Sequence, residues 1–225
     1  MILAGGYGTR LAPVLGSLPK GLAPIRGRPF LDLLVEFLVR QGVSKLVFCV
    51  GHHRQPVIDR YRNWPGVQTV FSEEVAPLGT GGAIRHALPQ VSSGRFFVLN
   101  GDSLCDIDLD GLLRYHLERG AQATLVAARM SGRNDVGTIR LDAAGKVLSF
   151  VEKTPGLPEQ VVFMNAGIYV LERTLFNDVR EAQLSLEHEL IPRWTHDGRC
   201  YGFVTEAEVV DIGTPDRYAG AQDRL

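Results

Sequence analysis

Apolar positions along this chain keep two alternating rhythms. Short, largely apolar runs read as strands; they fall at residues 1–3, 45–50, 67–71 and 96–99, and the runs closed by Gly51 and Asn100 read as buried. Between them the spacing lengthens to that of a helix. Residues 30–41 set Phe30, Leu33, Leu34, Phe37 and Leu38 on one side, with Gly42 placed to end the turn. Residues 109–118 do the same with Leu109, Leu112, Leu113, His116 and Leu117. Shorter helices are predicted at 56–62 and 83–88. An irregular loop is expected after the glycine-rich segment that follows Leu3, and a glycine-rich turn over 77–82.

Strand and helix in alternation predict an α/β fold: a Rossmann-like three-layer α/β/α arrangement about a mixed, mostly parallel central sheet. Ligands of such sheets bind beyond the carboxyl ends of the strands. The segments after Leu3, Phe71 and Leu99 all belong to that edge. After residue 120 the pattern changes. Strands are expected at 124–128, 138–141, 147–152 and 161–171, with Asp142-Ala143-Ala144-Gly145 as a turn. Helical stretches at 175–179 and 186–194 and strands at 201–204 and 209–212 complete the chain. No repeat or linker interrupts it. A single domain over 1–225 is expected, its character changing at about residue 120.

Composition narrows the classes of partner. A formal net charge of −1 on 225 residues gives no global field for nucleic acid or an anionic membrane. Neither a membrane-length apolar run nor a leader pattern occurs, which fits a cytoplasmic protein. Cys49, Cys105 and Cys200 are odd in number and widely spaced, unlike a disulfide framework or a zinc knuckle. The histidines show no metalloprotease spacing, and no serine sits on a nucleophile elbow.

The candidate chemistry lies in the loops. Leu3-Ala4-Gly5-Gly6-Tyr7-Gly8-Thr9-Arg10-Leu11 follows a strand, and its glycines let backbone N–H groups approach an anion. It is not a dinucleotide fingerprint, because Leu11 stands where a third glycine belongs, and it lacks the Gly-Lys-Ser/Thr of a P-loop. Asn100-Gly101-Asp102 and Asp211-Ile212-Gly213-Thr214-Pro215 each put a carboxylate at a strand end, suited to a hard cation such as Mg²⁺. Either aspartate alone could be an ordinary turn residue. Glu73-Glu74 precedes the second glycine-rich segment and reads either as a solvated acidic pair or as a base-reading carboxylate. A carboxylate's two acceptors match the N1–H and N2–H₂ of guanine, whereas uracil or thymine offers one such donor.

Taken together, these strings resemble the sugar-1-phosphate nucleotidylyltransferase family over nearly the whole chain. Within it, Pro77-Leu78-Gly79-Thr80-Gly81-Gly82-Ala83 with a short C-terminus looks most like the D-glycero-α-D-manno-heptose 1-phosphate guanylyltransferases. The resemblance implies the fold of the nucleotide-diphospho-sugar transferases, with a nucleotide half over about 1–120 and a sugar half over about 121–225, without the C-terminal β-helix of many relatives. It implies nucleotidyl transfer from a nucleoside triphosphate, GTP favoured, to a sugar 1-phosphate, with UTP, CTP or dTTP and another sugar as the alternative. By the same likeness, Leu3, Ala4, Gly5, Gly6, Gly8, Thr9, Arg10, Lys20, Glu74, Pro77, Gly79, Thr80, Asn100 and Gly101 hold the nucleotide.

Gly137, Glu152, Lys153 and Asn165 then hold the sugar phosphate, and Asp102 and Asp211 share Mg²⁺. Arg10, Lys20, Asp102 and Asp211 form the catalytic set. The family places a proline after the lysine, and here Gly21 stands there. Family members also begin a few residues earlier. Regulatory sugar-nucleotide sensors of the same fold usually lose the arginine, lysine or aspartate that this chain keeps. A homodimer is compatible with the likeness.

Overall fold

A computed structural model describes residues 1–129, 137–151 and 163–225. The chain opens with strand β1 (Ile2–Leu3), runs through the glycine-rich loop into a short helix α1 (Ala12–Leu15), and turns through a 3-10 segment at Lys20–Leu22. A small hairpin, β2 (Pro24–Ile25) and β3 (Arg28–Pro29), leads into α2 (Phe30–Arg40). Then follow β4 (Lys45–Val50), α3 (Gln55–Tyr61), β5 (Gln68–Glu73), α4 (Gly79–Ala87) and β6 (Arg95–Asn100). The second half carries β7 (Ser103–Cys105), α5 (Leu109–Glu118), β8 (Ala123–Arg129), β9 (Thr138–Leu141), β10 (Val147–Val151) and β11 (Phe163–Glu172). It ends with α6 (Ile191–His196), β12 (Cys200–Thr205), β13 (Val209–Asp211) and α7 (Pro215–Arg224).

Among the described residues nine strands share one mixed sheet. Strands β6, β1, β4 and β5 lie side by side and parallel. Strand β11 joins this block antiparallel to β6, pairs β8 and β9 in the same sense, and β8 carries β12 parallel at its other edge. The parallel block that alternation predicts is therefore present, and β11 makes one continuous sheet of the two halves. Strand β4 shows why both faces must be covered. Leu46, Phe48 and Val50 enter a core with α2, α3 and α5, while Val47 and Cys49 enter the opposite core with α4 and α6. Two apolar layers on one sheet are the three-layer sandwich.

A third, smaller core fixes the site. Leu11, Ala23, Ile25 and Phe30 from the opening segment pack with Val210, Ile212 and Ala221 from β13 and α7. The first and last pieces of the chain are thus clamped together beside the strand ends. No described helix is long and apolar enough to cross a membrane.

Several local expectations change. The stretch after Arg10 is helical where an irregular loop is expected, because Leu11 and Ala12 amides both return to the Gly8 carbonyl at 2.9 and 3.1 Å. The glycines of 79–82 lie inside α4 and not in a turn. They remain compatible with helix because a loop packs against them: the Gly81 and Gly82 amides bond Leu184 O at 3.0 and 3.1 Å. The single helix expected over 186–194 divides into a π-helical turn, Leu186–Leu190, and α6. The stretch at 175–179 is a 3-10 turn over Arg173–Phe176. Helix α7, strand β7 and the β2–β3 hairpin are not foreseen by the apolar rhythm.

Candidate active site

The strand ends of β1, β4, β5 and β6 open into a cavity of about 530 Å³. It is lined by Leu3 to Arg10, Lys20, Gly21, Cys49, Glu74, Pro77, Gly79, Thr80, Asn100, Gly101, Asp102 and Gly213. Its size suits a nucleotide-class ligand. A second cavity of about 130 Å³ adjoins it and is lined by Gly137, Asn165, Gly167, Glu187, Asp211 and Arg217 among others. Arg10, Asn100, Asp102 and Gly213 line both. All the expected nucleotide residues border the first cavity. Of the expected sugar residues, Gly137 and Asn165 border the second, and Glu152 and Lys153 lie outside the described residues.

Glycines bring the loops this close. Gly8 adopts φ +61°, and a Cβ there would stand 3.3 Å from the Cβ of Lys20, so the loop lies directly over the lysine. A Cβ on Gly5 would stand 2.9 Å from Glu74 Oε1. Arg10 is exposed at the mouth shared by the cavities. Lys20 follows Pro19 into the 3-10 turn and donates to Asp102 Oδ2 in a short, partly buried ion pair. Gly21, in the place of the family's proline, still lets that turn form.

Asp102 and Asp211 come from neighbouring backbone. Strand β7 pairs antiparallel with β13, setting Asp211 opposite Ser103, and the Ile212 amide donates to the Asp102 carbonyl at 3.0 Å. Asp211 Oδ1 accepts from Arg217 Nη1 at 2.9 Å and from the Gly213 amide at 3.0 Å. No cluster of three or more histidine, cysteine or acidic side chains converges among the described residues. Two adjacent carboxylates are a donor set fitted to a hard divalent ion that takes its other oxygens from phosphates and water.

At the far end, Glu74 is half-buried. Its Oε2 accepts from the Leu78 amide at 3.1 Å, leaving Oε1 for any second partner. Burial raises its pKa above the ordinary carboxylate value, against the Leu78 hydrogen bond and the nearby His86, which lower it. Cys49 forms part of the floor, buried, with its thiol pushed up to about 12 chiefly by desolvation. It is a packing residue and not a nucleophile.

The boundary between the cavities holds residues that sequence reasoning missed. Glu187, on the π-helical turn, accepts from Thr80 Oγ1 at 2.6 Å and from the Tyr169 hydroxyl at 3.4 Å. That hydroxyl in turn accepts from Asn165 Nδ2 at 2.6 Å. A hydrogen-bonded chain thus links Thr80 of the larger cavity to Asn165 of the smaller one through one carboxylate. Asn100 Oδ1 is buried without a hydrogen-bond partner at the same junction. Arg217 carries no such signal either, although it lies in the first turn of the helix that begins at Pro215, the end of the Asp211 motif.

Comparison with known proteins agrees with this geometry. The family described as "Nucleotidyl transferase" matches residues 1–225. The chain is 31% identical over 227 residues to the D-glycero-α-D-manno-heptose 1-phosphate guanylyltransferase of Aneurinibacillus thermoaerophilus, covering 100% of this chain and 97% of that protein. It is 32% identical to the mannose-1-phosphate guanylyltransferase of Mycobacterium tuberculosis, covering 97% of this chain but 62% of that longer protein. Among solved structures, HddC from Yersinia pseudotuberculosis, complexed with GMP-PN, superposes with a TM-score of 0.86 at 33% identity, covering 99% of this chain and 97% of that one. With the fold, the strand-end loops and the full-length match in agreement, the chain belongs to the nucleotidyl transferase family.

Proposed function

We propose that the chain transfers a guanylyl group from GTP to a sugar 1-phosphate, with a manno-configured heptose 1-phosphate as the acceptor, and releases pyrophosphate. The observation that carries this reading is the seam between the two cavities. Arg10 and Asp102 line both cavities, Lys20 the larger and Asp211 the smaller, where a triphosphate in the larger cavity and a sugar phosphate in the smaller one would face each other. The full-length likeness to heptose 1-phosphate guanylyltransferases and to HddC supports the choice of base and sugar.

The chemistry asks for positioning more than for a protein nucleophile. The sugar-phosphate oxygen is anionic near neutral pH and attacks the α-phosphorus as pyrophosphate leaves, so no general base is needed. Two polyanions must be brought into line. The Gly5–Thr9 backbone and Arg10 cradle the triphosphate, and Lys20 holds its charge from below the loop. Asp102 and Asp211 would hold Mg²⁺, which supplies charge screening between the two phosphates when bound. Glu74 reads the base through Oε1, and the orphaned Asn100 Oδ1 accepts from a substrate hydroxyl. Gly137 and Asn165 border the sugar, and Glu152 and Lys153 complete its side. Residues 1–225 act as one unit, with the nucleotide half over about 1–120.

A screen of GTP, UTP, CTP and dTTP against heptose, mannose and glucose 1-phosphates, read by pyrophosphate release with Mg²⁺ present, tests the proposal. Release with GTP and heptose 1-phosphate at the highest kcat/KM is expected. Preference for mannose 1-phosphate would move the acceptor assignment. Silence across the panel would remove the activity.

A further inference from the structure

We propose that Arg217 is an additional positioning residue of the reaction: it is the resident counter-cation of Asp211, and it passes to the sugar phosphate when a divalent ion takes its place. The inference rests on the reading above, and it concerns a residue outside the set that reading uses.

Four observations meet at one point. Arg217 Nη1 donates to Asp211 Oδ1 at 2.9 Å. Both side chains are largely buried, at 17% and 13% exposed, so their attraction is screened less than in open water and a lost partner must be replaced. Arg217 borders the smaller cavity together with Arg10, Gly137 and Asn165. Gly213 is the fourth. A Cβ placed there would lie 2.9 Å from Asp211 Oδ1, 3.2 Å from Arg217 Nη1 and 3.8 Å from Lys20 Nζ. The missing side chain leaves one small space that a carboxylate and two cations all border. Lys20 is already paired with Asp102, so each of the two carboxylates carries its own cation.

Backbone structure fixes Arg217 in that place. Thr214 caps α7, its hydroxyl accepting from the Arg217 amide at 3.4 Å, and Pro215 begins the helix. Ile212 and Ala221 on either side are held in the small core beneath the opening loop. The guanidinium therefore extends from the first turn of a clamped helix. It is a rigid fork, always charged, that matches a phosphate as well as it matches a carboxylate.

The exchange follows from charge. A divalent ion held by Asp211 would compete with Arg217 for that carboxylate and repel the guanidinium. An incoming phosphate dianion in the adjoining cavity offers the displaced guanidinium a new partner. Metal alone thus binds against Arg217, and metal with sugar phosphate binds in concert with it. The two ligands are coupled through one side chain.

Calorimetric titration of Mn²⁺, without any nucleotide, into wild type, Arg217→Gln and Arg217→Lys tests the first half. The glutamine variant should bind the ion about threefold to tenfold more tightly, the scale of one removed neighbouring charge. The lysine variant, which keeps the charge, should match wild type. Kinetics with GTP test the second half. The KM for sugar 1-phosphate should rise about tenfold in Arg217→Gln and be partly restored in Arg217→Lys, with the KM for GTP within about twofold of wild type. Weaker Mn²⁺ binding in Arg217→Gln, together with a lowered melting temperature, would mean that Arg217 only braces Asp211 and would overturn the proposal. An unchanged sugar-phosphate KM would overturn it as well. The titration needs no turnover, so a wild-type protein inactive in the substrate screen would sink the proposed function while the metal competition is still read directly.

Discussion

The two walls of the site are made of different materials. The larger cavity, proposed as the nucleotide wall, is mostly backbone: a glycine loop after β1, the Gly101 turn after β6 and a helix start at Gly79, all at the ends of parallel strands or just beyond them. The smaller cavity, proposed as the sugar wall, is mostly side chain: Asn165 from β11, Glu187 from a π-helical turn and Arg217 from α7, drawn from segments far apart in sequence. A backbone wall recognises what all nucleotides share, a chain of phosphates and a flat ring. A side-chain wall can be changed one residue at a time, which is what a family with many sugars requires.

The seam where the walls meet should be the most sensitive place in the molecule. Asp102 borders both cavities and pairs with Lys20. Asp102→Asn keeps its shape and removes its charge. The expected result is a fall in kcat of roughly a hundred- to a thousandfold with the fold intact. Steady-state pyrophosphate release and circular dichroism measure the two parts. Near-normal turnover would remove Asp102 from the reaction and leave the seam without its centre.

The comparison sharpens if each wall is perturbed in its own material. On the nucleotide wall, Gly101 approaches β1 so closely that an added Cβ would stand 2.7 Å from the Leu3 carbonyl oxygen, the same atom that accepts the Gly101 amide at 2.9 Å. Gly101→Ala must push the two strand ends apart, at a cost of roughly 1–3 kcal/mol in stability. The melting temperature should fall and the KM for GTP should rise more than that for the sugar phosphate. On the sugar wall, Glu187→Gln retains size and removes the charge between Thr80 and Tyr169. The KM for the sugar phosphate should rise about fivefold to tenfold with little change for GTP, the scale of one hydrogen bond to a charged group. Equal effects on both substrates in either variant would erase the distinction between the walls.

The same contrast explains what the sequence made legible. Backbone sites need glycine, and glycine strings at strand ends stand out: Gly5, Gly6, Gly8, Gly79 and Gly101 all border the larger cavity. The strand and helix rhythm located β4, α2 and α5 closely, because each buries a regular face. Arg217 and Glu187 carry no such mark. Each is an ordinary charged residue outside any glycine string, and its place depends on β13 lying against β7 and on α4 packing against the π-helical turn. Helix α7 has few apolar residues to show a periodic face, and the capping Thr214-Pro215 was its one local sign. Long-range pairing decides these positions, and spacing along the chain does not report it.

A third region, remote from both walls, gives the smallest expected effect and a control for the others. His116 on α5 is 1% exposed, bonded through Nδ1 to Thr124 Oγ1 at 2.8 Å and through Nε2 to Glu172 at 3.3 Å, with Arg95 also on that glutamate. Burial lowers its pKa below the ordinary histidine value, outweighing the pull of Glu172 toward the charged form. The folded protein therefore holds fewer protons at this site than the unfolded chain just below that ordinary value. Stability rises with pH across this interval and is lost as the pH falls through it. Melting curves from about pH 8 down to about pH 5 should show this decline, and His116→Gln should flatten it. Because Thr124 and Glu172 sit at the opposite ends of β8 and β11 from Asn165, the KM values for GTP and sugar phosphate should not follow the same change. If they did, the sheet would be transmitting a charge from its far edge to the sugar wall, and the two walls could no longer be treated as locally built.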